Sequence, residues 1–147
     1  MSDGIEPLSD GMRQQLLEDL HRARTGLGLA AVFDGESRLT SPTCGDEVTV
    51  RVSVVDGAIA ELTWTGHGCT VSQASASALV PLATGLTVEE FASMATRFFA
   101  TVEPGGTVDP GLGDAEAFVG IGRFPLRARC ASLAWRATLQ SLELIAP

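Results

Sequence analysis

The chain contains no lysine, no tyrosine and no asparagine. Its ten cations are all arginines, scattered from Arg13 to Arg136 and outnumbered by eighteen carboxylates, for a formal net charge of -8. A surface that binds nucleic-acid phosphates rests on clustered cations that release counterions, so no nucleic-acid partner is expected. No run approaches the roughly 20 apolar residues of a spanning helix, and no membrane partner is expected either. Residues 1–10 are acidic and lack the basic and apolar regions of a secretory signal, which predicts a cytoplasmic protein. Cysteine is scarce as well: only Cys44, Cys69 and Cys130 occur. In a reducing compartment an odd, dispersed set of thiols points to metal or sulfur chemistry more than to disulfides.

What is present is enough for a core. With 147 residues, 45% of them hydrophobic, the chain is predicted to form one domain over 1–147. Positions 8–24 read as an amphipathic helix, with Ser9 as N-cap and Met12, Leu16, Leu17 and Leu20 at helical spacing. Gly26 and Gly28 stop it, Gly35 suggests a turn, and a short strand is expected over 37–41. Alternation is clear from Val48 through Val50, Val52 and Val54, then Asp56-Gly57 signals a hairpin whose returning strand covers 59–65. These strands predict an antiparallel sheet with one buried face.

Gly66-His67-Gly68-Cys69 reads as a tight turn into a helix of small residues that ends near Thr84-Gly85. Thr87, followed by Glu89 and Glu90, caps a further helix carrying Phe91, Met94, Ala95, Phe98 and Phe99. The glycine- and proline-rich segment 103–114 predicts a loop with too few apolar residues to join the core. A short apolar turn over 115–121 follows, and Phe124-Pro125 opens the last helix, in which Cys130 is expected to share a face with Leu126 and Leu133. The fold class is therefore α+β, a small antiparallel sheet packed against helices.

The hairpin carries the argument about function. It leads from Cys44 and Asp46, at the start of one strand, to Cys69 just past the end of its partner, and in an antiparallel pair those ends are neighbours. The last helix can bring Cys130 to the same sheet end. Three thiols and a carboxylate suit a tetrahedral zinc site, although purely structural sites more often use four thiolates or three with an imidazole. The plainer alternative is that each cysteine is a small buried hydrophobe, and without a CxxC pair the spacing leaves both readings open.

Three motifs then stand in order: Ser41-Pro42-Thr43-Cys44-Gly45-Asp46; Gly66 to Ser77 with its Ser-x-Ala-Ser-Ala-Ser run; and Arg123-x-Pro125-x-Arg127-x-x-Cys130-Ala131-x-Leu133-Ala134-Trp135. Together they resemble the SufU family, within the wider group of IscU-like iron-sulfur assembly proteins, over about 37–139. The interval from Cys69 to Cys130, 130 - 69 = 61 residues, is longer than in IscU scaffolds, and 103–114 resembles the insertion that marks SufU. Arg129 stands where IscU scaffolds carry histidine. The chain departs from the family after its first helix, where the family's His-Tyr and Asn-Pro-Arg pattern is only faintly echoed in Asp19 to Thr25.

The resemblance implies an IscU/SufU-like fold with a three-stranded sheet and a zinc bound by Cys44, Asp46, Cys69 and Cys130. It also implies that Cys44 accepts sulfur from a SufS-type cysteine desulfurase, a histidine of that enzyme replacing Cys44 on the zinc, for delivery to downstream Suf cluster-assembly proteins. Arg127 falls on the family's Pro-x-Arg position and is expected to act beside Cys44, near Asp46 or the anionic site; its plainer reading is a surface arginine. His67, two before Cys69, is a further candidate ligand at a position where the family tolerates many residues; Arg129 and His21 read as solvent-facing, and Trp135 as a packing residue. The alternatives are an iron-sulfur cluster scaffold using the same ligands, and a structural zinc module. A zinc hydrolase fits less well, because its fourth position would hold water.

Overall fold

The computed structural model describes residues 8–42 and 45–145. Thr43 and Cys44 lie outside the described residues. Helix α1 spans Asp10–Ala23, capped by the Ser9 side chain, which accepts from the Met12 N–H. Strands β1 (Gly35–Thr40), β2 (Glu47–Val55) and β3 (Ala58–His67) form one antiparallel sheet in the order β1-β2-β3. Helices α2 (Thr70–Ala83) and α3 (Val88–Thr101) follow, then 3-10 segments at Pro110–Phe118 and Ile121–Arg123, then α4 (Pro125–Glu143). No helix among the described residues is long and apolar enough to cross a membrane.

The period-two pattern of β2 does what alternation should: Val48, Val50 and Val52 are buried, while Arg51 and Glu47 face outward to pair with Glu36 and Arg38 of β1. A register shift at Ser53/Val54 accompanies the tight Asp56-Gly57 turn, so Ile59 and Leu62, three apart, both reach the core. Beyond β3 the chain seals the sheet edge. Gly28 N–H donates to the Trp64 carbonyl at 2.8 Å, Trp64 N–H donates to that of Gly26 at 3.0 Å, and the indole Nε1 donates to that of Thr25 at 2.7 Å. Among the described residues β1 is left as the open edge.

Helix α4 lies over the buried sheet face, close enough that a side chain on Gly35 would strike the Ser141 carbonyl. The serine and alanine positions of α2 let it approach α4: Ser75 Oγ donates to the Ala131 carbonyl at 2.5 Å and accepts from Trp135 Nε1 at 3.1 Å. Phe91 and Phe98, seven residues apart on α3, both stack on the Trp135 ring, with centroids 5.8 and 4.1 Å away. The Thr87–Glu90 capping box predicted for α3 is present in both directions.

Four expectations are corrected. Gly35 opens β1 and is not a turn. β3 continues through Gly66 and His67, because a side chain at 66 would collide with the Glu47 carbonyl and glycine keeps the ladder closed there. The segment 103–114 is not wholly a loop: its C-terminal part enters the 3-10 segment, and Leu112, 1% exposed, is core. Leu126 does not share the buried face of Cys130. It lies in the first turn of α4 and is 51% exposed.

Candidate metal centre

The site sits at one end of the sheet, where three elements meet. Backbone bonds close the approach to β2: Gly45 N–H donates to the Ser41 carbonyl at 2.7 Å, and Ser41 N–H to that of Asp46 at 2.8 Å. Asp46 is thereby held just before Glu47, whose partner across the ladder is His67. Two residues on, Cys69 is the N-cap of α2. Its N–H donates to Asp46 Oδ1 at 3.1 Å and its thiol to Oδ2 at 3.2 Å. Between them Gly68 has φ 148°, and any side chain there would run into the Asp46 carboxylate. Glycine here is a condition for the two ligands to meet.

Cys130, in the second turn of α4 and 2% exposed, supplies the third donor. A sulfur of Cys69, a sulfur of Cys130 and a carboxylate oxygen of Asp46 all lie within 4.8 Å of one another. Zinc–sulfur and zinc–oxygen bonds of about 2.0–2.3 Å in a tetrahedron separate neighbouring donors by under 4 Å, so this donor set fits zinc after small adjustments. Two soft thiols with one carboxylate also suit zinc better than calcium or magnesium, which take oxygen.

The electrostatics are those of a poised cluster. Burial pushes the Asp46 carboxyl up, but hydrogen bonds from Cys130, from the Cys69 thiol and N–H, and from Ser72 outweigh it and leave the group below the ordinary carboxylate range. The N-terminus of α2, pointing at this carboxylate, favours the anion as well. The Cys69 thiol moves the other way. Burial of its sulfur raises it, and the Asp46 carboxylate adds to the rise, while the Ser72 backbone and Cys130 oppose. Cys69 is nonetheless an exposed residue, with its sulfur turned inward to Asp46.

The predicted ligands therefore fare unequally. Asp46, Cys69 and Cys130 come together, and Cys44, two residues before Asp46, lies outside the described residues. Arg127 makes no ion pair with Asp46 among the described residues. It is exposed, its guanidinium 5.2 Å from the Phe124 ring centre, and it lines a groove of about 580 Å³ that also reaches Cys69, Arg13 and Arg123. His67 turns away to Glu47, with Nε2 3.5 Å from Oε1. Two contributors were missed, Ser72 and Gly68. The signal for Ser72 was its place three residues after an N-cap, where a polar side chain reaches back over the helix end.

The chain is similar to known proteins over most of its length. Residues 14–134 match the model of the NifU-like N terminal domain. The chain is 34% identical over 109 residues to the iron-sulfur cluster assembly scaffold protein IscU of Streptococcus pyogenes serotype M1, covering 72% of this chain and 67% of that one. It is 34% identical over 101 residues to the zinc-dependent sulfurtransferase SufU of Bacillus subtilis, covering 67% and 68%. Its fold superposes with a TM-score of 0.80 and 25% identity on a candidate cluster assembly scaffold for the SUF system from Fervidobacterium islandicum, over 87% of this chain and 94% of that one. The resemblance read from the motifs, and the α+β architecture with its three-stranded sheet, are thus borne out, and the chain belongs to the family of NifU-like N-terminal domains.

Proposed function

We propose that the protein is a zinc-dependent sulfur acceptor working with a cysteine desulfurase of the SufS type in iron-sulfur cluster assembly. The observation that carries this reading is the convergence of Asp46, Cys69 and Cys130 within 4.8 Å, two residues along the chain from a third cysteine. Cys44, Asp46, Cys69 and Cys130 would hold the zinc. When bound, zinc keeps thiolate ligands deprotonated near neutral pH and shields them from oxidation.

In the transfer itself the Cys44 thiolate attacks the outer sulfur of the desulfurase's cysteine persulfide. A new S–S bond forms on Cys44, the S–S bond of the partner breaks, and the partner's cysteine leaves as thiolate, with no external oxidant or reductant. Asp46 and Cys69 serve as fixed members of the cluster, since both are anchored by backbone bonds. Arg127, on the rim of the groove beside Cys69, is placed to steer an anionic persulfide toward it. Downstream Suf cluster-assembly proteins would take the sulfur on.

The test is desulfurase turnover with and without the protein. Stimulation that is lost in Cys44→Ala, with zinc measured at one equivalent in the wild type, is expected; no stimulation, or full stimulation by Cys44→Ala, overturns the reading. The scaffold name of the Streptococcus relative supports a second reading, in which the same residues hold a nascent cluster. That reading requires visible-light absorption after anaerobic reconstitution with iron and sulfide, together with displacement of the zinc.

A further inference from the structure

A second groove lies on another side of α4 from the metal centre. Pro125, Ala128, Ser132 and Arg136 follow one another at intervals of three or four, and Arg129 stands three before Ser132 and seven before Arg136, so all five fall on one stripe along the helix. Phe99 and Val102 from the end of α3, and Pro104 just beyond it, make the facing wall, and the enclosed space is about 380 Å³. Its floor asks for no polar ligand: the Ser132 hydroxyl donates to the Ala128 carbonyl at 3.0 Å. Cys130 points inward, away from this stripe, so the groove is independent of the metal site.

Charge marks what it receives. Arg129 and Arg136 are exposed on the rim, and neither has a carboxylate or hydrogen-bond partner among the described residues. Arg24, Arg123 and Arg127 also have no carboxylate partner among the described residues; Arg129 and Arg136 differ from them in flanking one apolar groove together. They stand 136 - 129 = 7 residues apart, about 10.5 Å along a helix. Glu103, on the facing wall, repels carboxylates from that side.

We infer that this groove is a docking surface for an amphipathic helix of a partner protein. The partner helix lies along α4, sets apolar side chains spaced i, i+4 against Phe99, Val102 and Ala128, and presents carboxylates seven residues apart to Arg129 and Arg136. The arginines give orientation and encounter rate, and the apolar contacts give the residence time.

The experiment uses the full chain and a fluorescein-labelled synthetic peptide of about 18 residues, long enough to become helical on its own, with leucines at i, i+4 on one face and flanking glutamates at a seven-residue interval. Its twin carries lysine at every glutamate. Saturable anisotropy with the acidic peptide is expected, with none for the lysine twin. The doubly exchanged Arg129→Glu/Arg136→Glu protein should bind about tenfold more weakly or worse. Ser132→Trp, which fills the groove, should abolish binding; if that variant does not fold, the rim variant alone carries the test, because its changes are at exposed positions. Absence of binding, equal binding of the lysine twin, or binding unmoved by the rim variant overturns the proposal. So does a concentration-dependent dimer in sedimentation that the rim variant abolishes, which would assign the groove to a second copy of the chain.

Discussion

Helices α2 and α4 meet twice, and the two meetings are built on opposite principles. At Ser75, Ala131 and Trp135 they are joined by buried hydrogen bonds and by an aromatic stack with α3, and nearly every atom is satisfied by its neighbours. At Cys69, six residues before Ser75, and Cys130, next to Ala131, they bring two sulfurs to a carboxylate and leave donors facing one another. The first meeting is a stability device. The second is the candidate metal centre, held in place by the first. A site assembled from side chains this far apart in sequence needs a rigid frame directly behind it, and here the frame uses the same two helices.

The comparison can be broken most forcefully at Trp135. Trp135→Ala removes the ring on which Phe91 and Phe98 stack and should cost about 3–5 kcal/mol in urea unfolding. Zinc uptake should fall with it; a destabilised but folded variant that binds zinc like the wild type would show the frame and the site to be independent. Gly68→Ala tests the other side. A methyl group there meets the Asp46 carboxylate, so zinc affinity in a chelator competition should drop about 10- to 100-fold while the aromatic core, followed by tryptophan fluorescence, stays native.

Ser75→Ala sharpens the link between the meetings. It leaves Trp135 Nε1 and the Ala131 carbonyl without their buried partner and should lower stability by about 1–3 kcal/mol. The smallest effect is expected far from both, at the surface pair Arg97–Asp109. Arg97 beside it is the main reason the Asp109 carboxyl lies below its usual range, with the Gly111 N–H helping against burial. A carboxyl lowered by folding stabilises above its unfolded pKa and loses that contribution as pH falls through the folded value. Asp109→Asn should therefore lower stability by under about 1 kcal/mol at pH 7, and the gap to wild type should close as pH falls through the carboxylate range.

Much of this was readable in advance because local chemistry and tertiary context agreed. The β2 valines, the Asp56-Gly57 turn, the Thr87–Glu90 box and Pro125 at the start of α4 each have a short-range cause, and the hairpin alone brings Asp46 and Cys69 together. What escaped depended on neighbours distant in sequence. Leu112 is buried although glycines and prolines surround it, because the 3-10 segment folds back over the core. Gly66 sits in a ladder because of the carbonyl opposite, and Leu126 is exposed in the first turn of α4 although it stands at helical spacing from Cys130. At the site, thiol spacing alone left both the metal and the core reading open, the core reading ahead; the distances among Asp46, Cys69 and Cys130 favour the metal. Arg127 lies beside Phe124 on the rim of the groove that reaches Cys69, a placement that its position three before Cys130 did not specify.

The sealing of β3 by the chain at Thr25–Gly28 has a consequence for behaviour at high concentration. With β3 covered at Trp64, the longer open edge for strand-to-strand aggregation or domain swapping among the described residues is the outer side of β1. There the six residues of Gly35–Thr40 carry Glu36 and Arg38, whose charges discourage an incoming strand. Fusions and solubility changes are thus best judged by what they do to those six residues.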